Sequence, residues 1–530
     1  MQKRILIALS ISFLVIGFYP MLLQHFYPEY GKQKAAASSK PGEVASKDKT
    51  QNIILGQLYS ADKDVMFKND KLRLVFNTLG GGVRQVSFLD YEDYEKGEPL
   101  RLVSLEDTKG APLSLIFAGD KSSEKAENVM QMTTGSVGLQ STVMDGSVRV
   151  SKKLLFHRQG YSADMIVTIE NISSAPKDVQ YELFAGARIK PRHSIDGQYI
   201  ETNFFSTRED KKGKLRHIND SKKDRETRSV GTVDWISAKD RHFSVVLKPE
   251  KNDQFTAVSR GLGNHEQMVS LVSPTQTIPA GGVVAHKFTV YMGPNDLKFL
   301  TPVGLDTMVN FGKFDLIAKL LVGGLESAQS IFKNYGVAII ILTILLNILL
   351  FPLTRQSYMS MKRMQLVQPQ MIKLKEKYAK NPEQMHKESM ELYKKHKVNP
   401  LGGCLPMLMQ MPIFLALYVA LSKCVPLVGA KFLWIHDLSS PDRVSIFGHN
   451  IHLLPIIMVV AMTLQQRFTQ IKIEGQDPAM EQQQKIMAVM MPILFGFIFY
   501  AMPSGLVLYW LTNTLFTSAY QLRLKNMKIS

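Results

Sequence analysis

Cysteine is nearly absent: Cys404 and Cys424 are the only two in 530 residues. They flank one apolar run at its opposite ends. A helix over that run, rising about 1.5 Å per residue, would hold them roughly 30 Å apart, far beyond the ~7 Å between Cα atoms that a disulfide spans. The sequence therefore has no disulfide framework and no CxxC metal site. The recurring catalytic signatures are missing too. There is no Walker A run, no HExxH, no GxSxG and no dinucleotide fingerprint, so neither an enzyme nor a bound cofactor is expected. Charge is missing from the centres of the long apolar runs. That argues against an ion- or proton-coupled transporter, which needs Asp, Glu or His near the midplane.

What is there is unevenly distributed. Hydrophobic residues make up an ordinary 45% of the chain, yet they concentrate at the N-terminus and in the last 200 or so residues, leaving a polar middle. The net charge of +18 suits nucleic acid, but it equally suits the basic cytoplasmic loops of a membrane protein. Its location decides between them.

Lys3 and Arg4 precede an apolar run from Ile5 to Leu23. Nineteen apolar residues exceed the ~7–15 of a signal-peptide core and approach the ~20 that span a bilayer. The reading is an uncleaved signal anchor over 1–23, with a cleaved signal as the alternative. Residues 24–54, which include GKQKAAASSKPGEVASKDKT, form a flexible linker. Five further spans are expected at Tyr335–Leu353, Leu405–Val425, Ile451–Phe468, Ile486–Met502 and Gly505–Leu522. The last two are separated only by the turn Pro503-Ser504-Gly505.

Orientation follows from charge. Between Thr354 and Cys404 eleven Lys/Arg face four Glu, which puts this loop in the cytoplasm. The loop 426–450 balances Lys431 and Arg443 with Asp437 and Asp442 and should face outward. The basic tail 523–530 should be inside. Six spans from a cytoplasmic N-terminus give the same answer.

Residues 55–310 alternate apolar and polar, the signature of half-buried strands. Leu72, Leu74 and Phe76 precede a Gly80-Gly81-Gly82 turn, and Met165, Val167, Ile169 and Phe243, Val245, Leu247 repeat the pattern. The expected fold is an all-β sandwich outside the membrane. Ser206–Arg228 is charged enough to be expected as a solvated loop. A nucleic-acid patch is excluded by its placement outside the cytoplasm.

Within 311–334, Leu316, Ile317, Leu320, Leu321, Leu325 and Ile331 share one helical face opposite Asp315, Lys319, Glu326 and Gln329. This predicts an amphipathic helix in the membrane interface; a helix packed on the β domain is the alternative. In 355–400, Met371, Leu374, Tyr378 and then Met385, Leu392, His396 form two stripes separated by Asn381-Pro382. They predict a helical hairpin, against the alternative of a solvated connector.

Two groups of polar residues remain. Trp434-Ile435-His436-Asp437 could carry acid–base work, but no third group lies nearby, and interface anchoring by Trp is the stronger reading. Inside the spans stand Thr343 and Asn347, Gln410 beside Met411-Pro412, Thr463, Gln465 and Gln466, and Thr512, Asn513, Thr514, Thr517 and Ser518. Such groups are costly in lipid and face a cavity or another helix. They allow a hydrated groove or plain interhelical hydrogen bonding.

The runs NPLGGCLPMLMQMPIFLALY (399–418), WIHDLS (434–439) and PSGLVLYW (503–510) resemble the YidC/Oxa/Alb insertase family, and the order of anchor, β domain and five-span core (335–522) resembles its Gram-negative form. The resemblance implies a multi-pass protein of the Gram-negative inner membrane: a six-helix membrane bundle plus a periplasmic β-supersandwich. It implies a chaperone-like insertase with a hydrophilic groove open to cytoplasm and lipid. The implied partners are nascent inner-membrane proteins, the Sec translocon with its accessory subunits, a translating ribosome on the cytoplasmic loops and tail, and membrane lipid, with no nucleic acid bound directly. Positions matching the client-contact surface are Thr343, Met411, Pro412, Phe414, Tyr509 and Trp510, joined by the polar Asn347 and Gln410. One departure stands out: the family's groove arginine, five residues before the proline ending the second span, is here Asn347. Rival classes are a transporter subunit and a membrane-anchored carbohydrate-active enzyme. The first needs a midplane charge or an internal repeat, the second clustered carboxylates or histidines in 55–300, and the sequence displays none of these.

Overall fold

The computed structural model describes residues 64–525 apart from internal segments, among them 118–130, 191–198, 397–404 and 470–477. The expected anchor, the linker, Cys404 and the NPLGG opening of the first motif lie outside the described residues.

Residues 64–294 are built from strands because Val, Ile, Leu and Phe recur at every second position and turn residues separate the runs. In Val148–Phe156 the burial alternates from residue to residue, with Val148, Val150, Lys152, Leu154 and Phe156 inward. A nine-stranded antiparallel sheet runs in the order Lys211–Ile218, Glu201–Arg208, Thr232–Lys239, Phe243–Pro249, Val283–Pro294, Ser162–Asn171, Val148–Phe156, Gly138–Asp145 and Gln131–Thr134. Against it stacks a five-stranded sheet of Glu226–Arg228, Thr256–Gly263, Glu266–Val272, Tyr181–Ala187 and Leu115–Phe117. A four-stranded sheet over 64–104 supplies Leu72, Leu74, Phe76, Val86 and Phe88 to the same core.

The stretch 206–228 corrects the sequence reading. Instead of a solvated loop it contributes Lys211–Ile218 and Glu226–Arg228 as strands. Both stand at sheet edges. Charge is compatible with strand there, because edge side chains reach water and like charges discourage pairing with another chain.

Seven helices of 14 or more residues follow the β domain among the described residues: α1 (Asp315–Phe332), α2 (Tyr335–Lys377), α3 (Pro382–Lys395), α4 (Leu405–Lys423), α5 (Leu453–Thr469), α6 (Pro478–Phe499) and α7 (Ser504–Lys525). Asn334 caps α2 by accepting from Val337 N–H at 3.1 Å, and Asn381 caps α3, which carries Pro382 in its first turn. Two differences from the sequence reading are physical. The second span and the first hairpin helix are one 43-residue helix. No glycine or asparagine cap interrupts it after Leu353, and Pro352 and Pro369 each forgo a backbone bond without ending it. In α1 the predicted apolar face divides. Leu321 and Leu325, with Ala318 and Ala328, are buried against the helical bundle, whereas Leu316, Leu320 and Ile331 are exposed. Small alanines allow close helix approach on the side of Leu321 and Leu325.

The two regions meet at the end of α4. Val425 and Val428, just beyond it, belong to the β-domain core, while Cys424 and Leu427 belong to the helical core. Buried Arg241 of the β domain donates through Nε to the Ser422 carbonyl, one of the last carbonyls of α4 that the helix itself leaves unpaired. Its guanidinium lies 5.4 Å from the centre of the Tyr199 ring, and the Tyr199 and Tyr418 hydroxyls are 3.2 Å apart.

Candidate functional site

α2, α4 and α7 bring the predicted site residues into one bundle, but in three different ways. Gln410 and Tyr509 are joined directly: the Gln410 amide donates to the Tyr509 hydroxyl at 2.5 Å. Tyr509 is 2% exposed, so this is a satisfied polar pair within an apolar core, where an unpaired amide would be expensive. Thr343 and Asn347 instead bond back along their own helix. Thr343 Oγ1 donates to the Ile339 carbonyl at 2.6 Å and Asn347 Nδ2 to the Thr343 carbonyl at 2.9 Å. Such i to i−4 bonds hide polarity within a helix. Thr343 is buried and Asn347 half-buried. The third group is apolar: Met411 and Pro412 are exposed on α4, and Met411 is one helical turn from half-buried Phe414.

Phe414 leads to a cluster that sequence reasoning missed. It meets Trp510 edge-on at 5.1 Å between ring centres, and Trp510 stacks on Phe495 at 5.2 Å and tilts against Phe499 at 5.3 Å. Phe495 and Phe499 lie one turn apart on α6, and they ring the indole with aromatic faces and edges in favourable geometry. The i, i+4 spacing of two phenylalanines was visible in the sequence. Nothing there showed which side of the apolar second half of α6 faces Trp510.

The loop 424–452 is built to hold the helix ends. Asp437 accepts from the Ser439 N–H at 2.8 Å, and the Ser440 and Leu438 carbonyls accept from Ser504 and Gly505 N–H at 2.8 and 2.9 Å, satisfying the first donors of α7. Asp442 accepts from Leu454 N–H at 2.8 Å, in the first turn of α5, and from the Trp434 indole at 3.1 Å. The residues just after the WIHD run thus cap the helices, with Trp434 engaged to the Asp442 carboxylate.

The outer surface of the bundle is apolar. Leu349 is 73% exposed and Phe497 83%, and the segment Tyr335–Pro352 has the length and composition to cross a membrane, with shorter apolar helices at Gln410–Lys423, Leu453–Arg467 and Ala488–Phe499. Monomeric soluble proteins rarely carry such continuous apolar patches. A large β domain joined to a bundle with apolar sides and a polar pair inside defines an integral membrane protein with an extramembrane domain.

Family comparison carries this further. The family described as YidC periplasmic domain matches residues 64–323, and the family described as 60Kd inner membrane protein matches 327–530. The membrane protein insertase YidC of Geotalea daltonii is 32% identical, with 98% of this chain and 98% of that protein aligned. The YidC of Citrifermentans bemidjiense is also 32% identical, with the same coverage of both. A crystal structure of an active YidC insertase with its first transmembrane domain resolved is 22% identical, covers 89% of this chain and 94% of its own, and has a TM-score of 0.38. The chain belongs to the YidC family of membrane protein insertases, an inner-membrane family of insertases and not of enzymes.

Proposed function

We propose that the protein inserts, folds and assembles nascent inner-membrane proteins, both with the Sec translocon and its accessory subunits and independently of it. Six spans, counting the segment 5–23, place both termini in the cytoplasm and the β domain in the periplasm. Clients enter a groove open to cytoplasm and lipid, where Thr343, Asn347, Gln410 and Tyr509 offer polar contacts and Met411, Pro412, Phe414 and Trp510 an apolar slide. A translating ribosome docks on the basic cytoplasmic hairpin and tail. The observation that carries this reading is the Gln410–Tyr509 pair, hydrogen-bonding capacity held among helices whose outer faces suit lipid. A polar segment can exchange bonds with such a pair while its apolar neighbour moves into the bilayer.

Asn347 gives the test. Asparagine donates and accepts but carries no charge, so it can hold water or a client backbone without attracting a carboxylate. A charge-assisted contact is worth about 1.5–3 kcal/mol where a neutral one gives about 1, and hydration of the groove supplies most of the effect here. Asn347→Leu should therefore slow insertion of a client with a charged translocated segment more than Asn347→Arg does. The assay is protease accessibility of that client in cells depleted of the native protein. Insertion by Asn347→Leu at the wild-type rate would make residue 347 a packing residue. Single cysteines in 355–400 should resist impermeant thiol reagents applied from the periplasm while those in 64–294 react; the reverse pattern refutes the topology.

A further inference from the structure

Two side chains in the loop between α4 and α5 break the same folding preference. Leu433 and Phe447 are large apolar residues at positive φ, 52° and 50°. There Cβ crowds the following carbonyl, and glycine or asparagine fits at lower cost. Burial does not compensate them: Leu433 is 76% exposed and Phe447 99%.

Each stands at the tip of a tight turn. Phe432 and Ile435 exchange backbone hydrogen bonds of 2.8 Å in both directions, leaving Leu433-Trp434 as a two-residue loop. The strands Val444–Ile446 and His449–Ile451 pair with Ile446 opposite His449, leaving Phe447-Gly448, both at positive φ. This is the type I′ hairpin loop, for which Asn-Gly is the preferred pair. The requirements of the turn alone would not choose phenylalanine.

The depth of these tips is set by contacts. Asn334 donates to the Lys431 carbonyl at 3.1 Å, and the Phe432 ring sits so close to Gly336 that a Cβ there would overlap it. Leu433 is therefore held level with the first turn of α2, where the apolar segment 335–352 begins. The second hairpin ends at Ile451, two residues before α5. Asp442 ties it to the first turn of α5 and, through Trp434, to the first tip.

The geometry points to a two-pronged lipid anchor: Leu433 and Phe447 enter the boundary between headgroups and acyl chains at the α4–α5 loop side of the membrane. A bilayer fits better than a protein partner. The prongs are separate side chains among exposed Lys431, Ser445, His449 and Asn450, far less apolar area than a stable protein interface needs. Apolar tips with adjacent basic and polar groups match an acyl boundary beneath phosphates. The strain then has a function, since it aims apolar side chains where the rest of the fold makes no use of them. The inference rests on the reading of α2, α4 and α5 as membrane spans, and it adds a contact surface to their loop.

The test uses the full chain with Cys404→Ser and Cys424→Ala, bearing one cysteine at 433 or 447 labelled with the fluorophore NBD. The protein is reconstituted in phosphatidylcholine–phosphatidylglycerol liposomes. Lipids carrying a doxyl quencher should reduce emission at both sites by roughly twofold or more, as for groups at the acyl boundary, and aqueous iodide should have little effect. Emission quenched by iodide and not by doxyl lipid overturns the anchor, as does protection from both, which would mean packing against protein. Leu349→Cys, on the exposed face of α2, and Val283→Cys, in the β domain, are the controls. If label at 349 is lipid-quenched and label at 433 and 447 is not, the anchor alone is wrong. If label at 349 fails to respond to lipid, the span assignment itself falls.

Discussion

Exposure means opposite things in the two halves of this chain. In the β domain the outward positions of Val148–Phe156 carry Arg149 and Lys153, while the inward ones are mostly aliphatic. In the helical bundle the outward positions are Leu345, Ile348 and Leu349 on α2 and Val489, Ile493 and Phe497 on α6, while a Gln–Tyr pair lies inside. One chain follows one rule, that apolar surface leaves water, in two solvents. Hydrocarbon around the bundle removes the reason to hide leucine and makes polar groups seek each other.

The comparison can be broken by putting the same substitution on each surface. Leu345→Asp, near the middle of the apolar segment 335–352, places a carboxylate toward lipid and should cost about 2.5–3.5 kcal/mol. Val283→Asp, on a comparably exposed strand residue, should stay within about 0.5 kcal/mol. Membrane-inserted amounts and thermal melting in detergent measure both. Equal losses would mean that the bundle surface is not a lipid surface.

Lys152 sharpens it from the other side. It occupies an inward position of its strand, is fully buried, and donates to the Gly81 and Leu113 carbonyls at 2.8 and 2.7 Å. Burial pushes its ammonium down to about 7. Below that pH both folded and unfolded chains hold the proton, and the full burial penalty applies. Between about 7 and the ordinary lysine value near 10.4 the unfolded chain holds more protons, so stability rises with pH, by up to about 1.4 kcal/mol per unit. Denaturation of the full chain, followed by β-sheet circular dichroism at pH 6 and pH 9, should show this rise in wild type and a flatter profile in Lys152→Met. Parallel profiles would remove Lys152 as the titrating group.

The smallest expected effect is at the Gln410–Tyr509 pair. Tyr509→Phe keeps the ring and deletes the acceptor of the Gln410 amide, so it should destabilise by about 1–2 kcal/mol through an unpaired buried donor. Tyr509→Phe combined with Gln410→Leu removes both partners and should recover much of that loss in melting temperature. A double variant less stable than either single would show that the two residues do not act as a pair.

These contrasts also explain what could be read in advance. Alternation such as Met165, Val167 and Ile169 marks a strand because water on one face leaves a period of two. The family motifs named Gln410 and Tyr509 separately, but their hydrogen bond depends on how α4 and α7 are rotated. A helix apolar on every side has no moment to report that rotation. The same silence hid Phe495 and Phe499 behind Trp510, whereas in α1 the buried Leu321 and Leu325 and the exposed Leu316, Leu320 and Ile331 lie within one broad apolar arc that spacing alone does not divide. Ser206–Arg228 failed differently: composition measures the demand for water, and an edge strand satisfies that demand while keeping its ladder on one side.

Val425 and Val428 have a consequence in time. They complete the β-domain core, yet they are made about 130 residues after its last strand ends at Pro294. At about 5–20 residues per second of synthesis, the β domain stands for roughly 6–26 s with a gap in its core. It closes only when the turn after α4 packs against the domain. A domain that is chemically ready early is thus finished late, by a piece that the membrane bundle delivers. Its final packing therefore depends on α4 and the turn after it being in place.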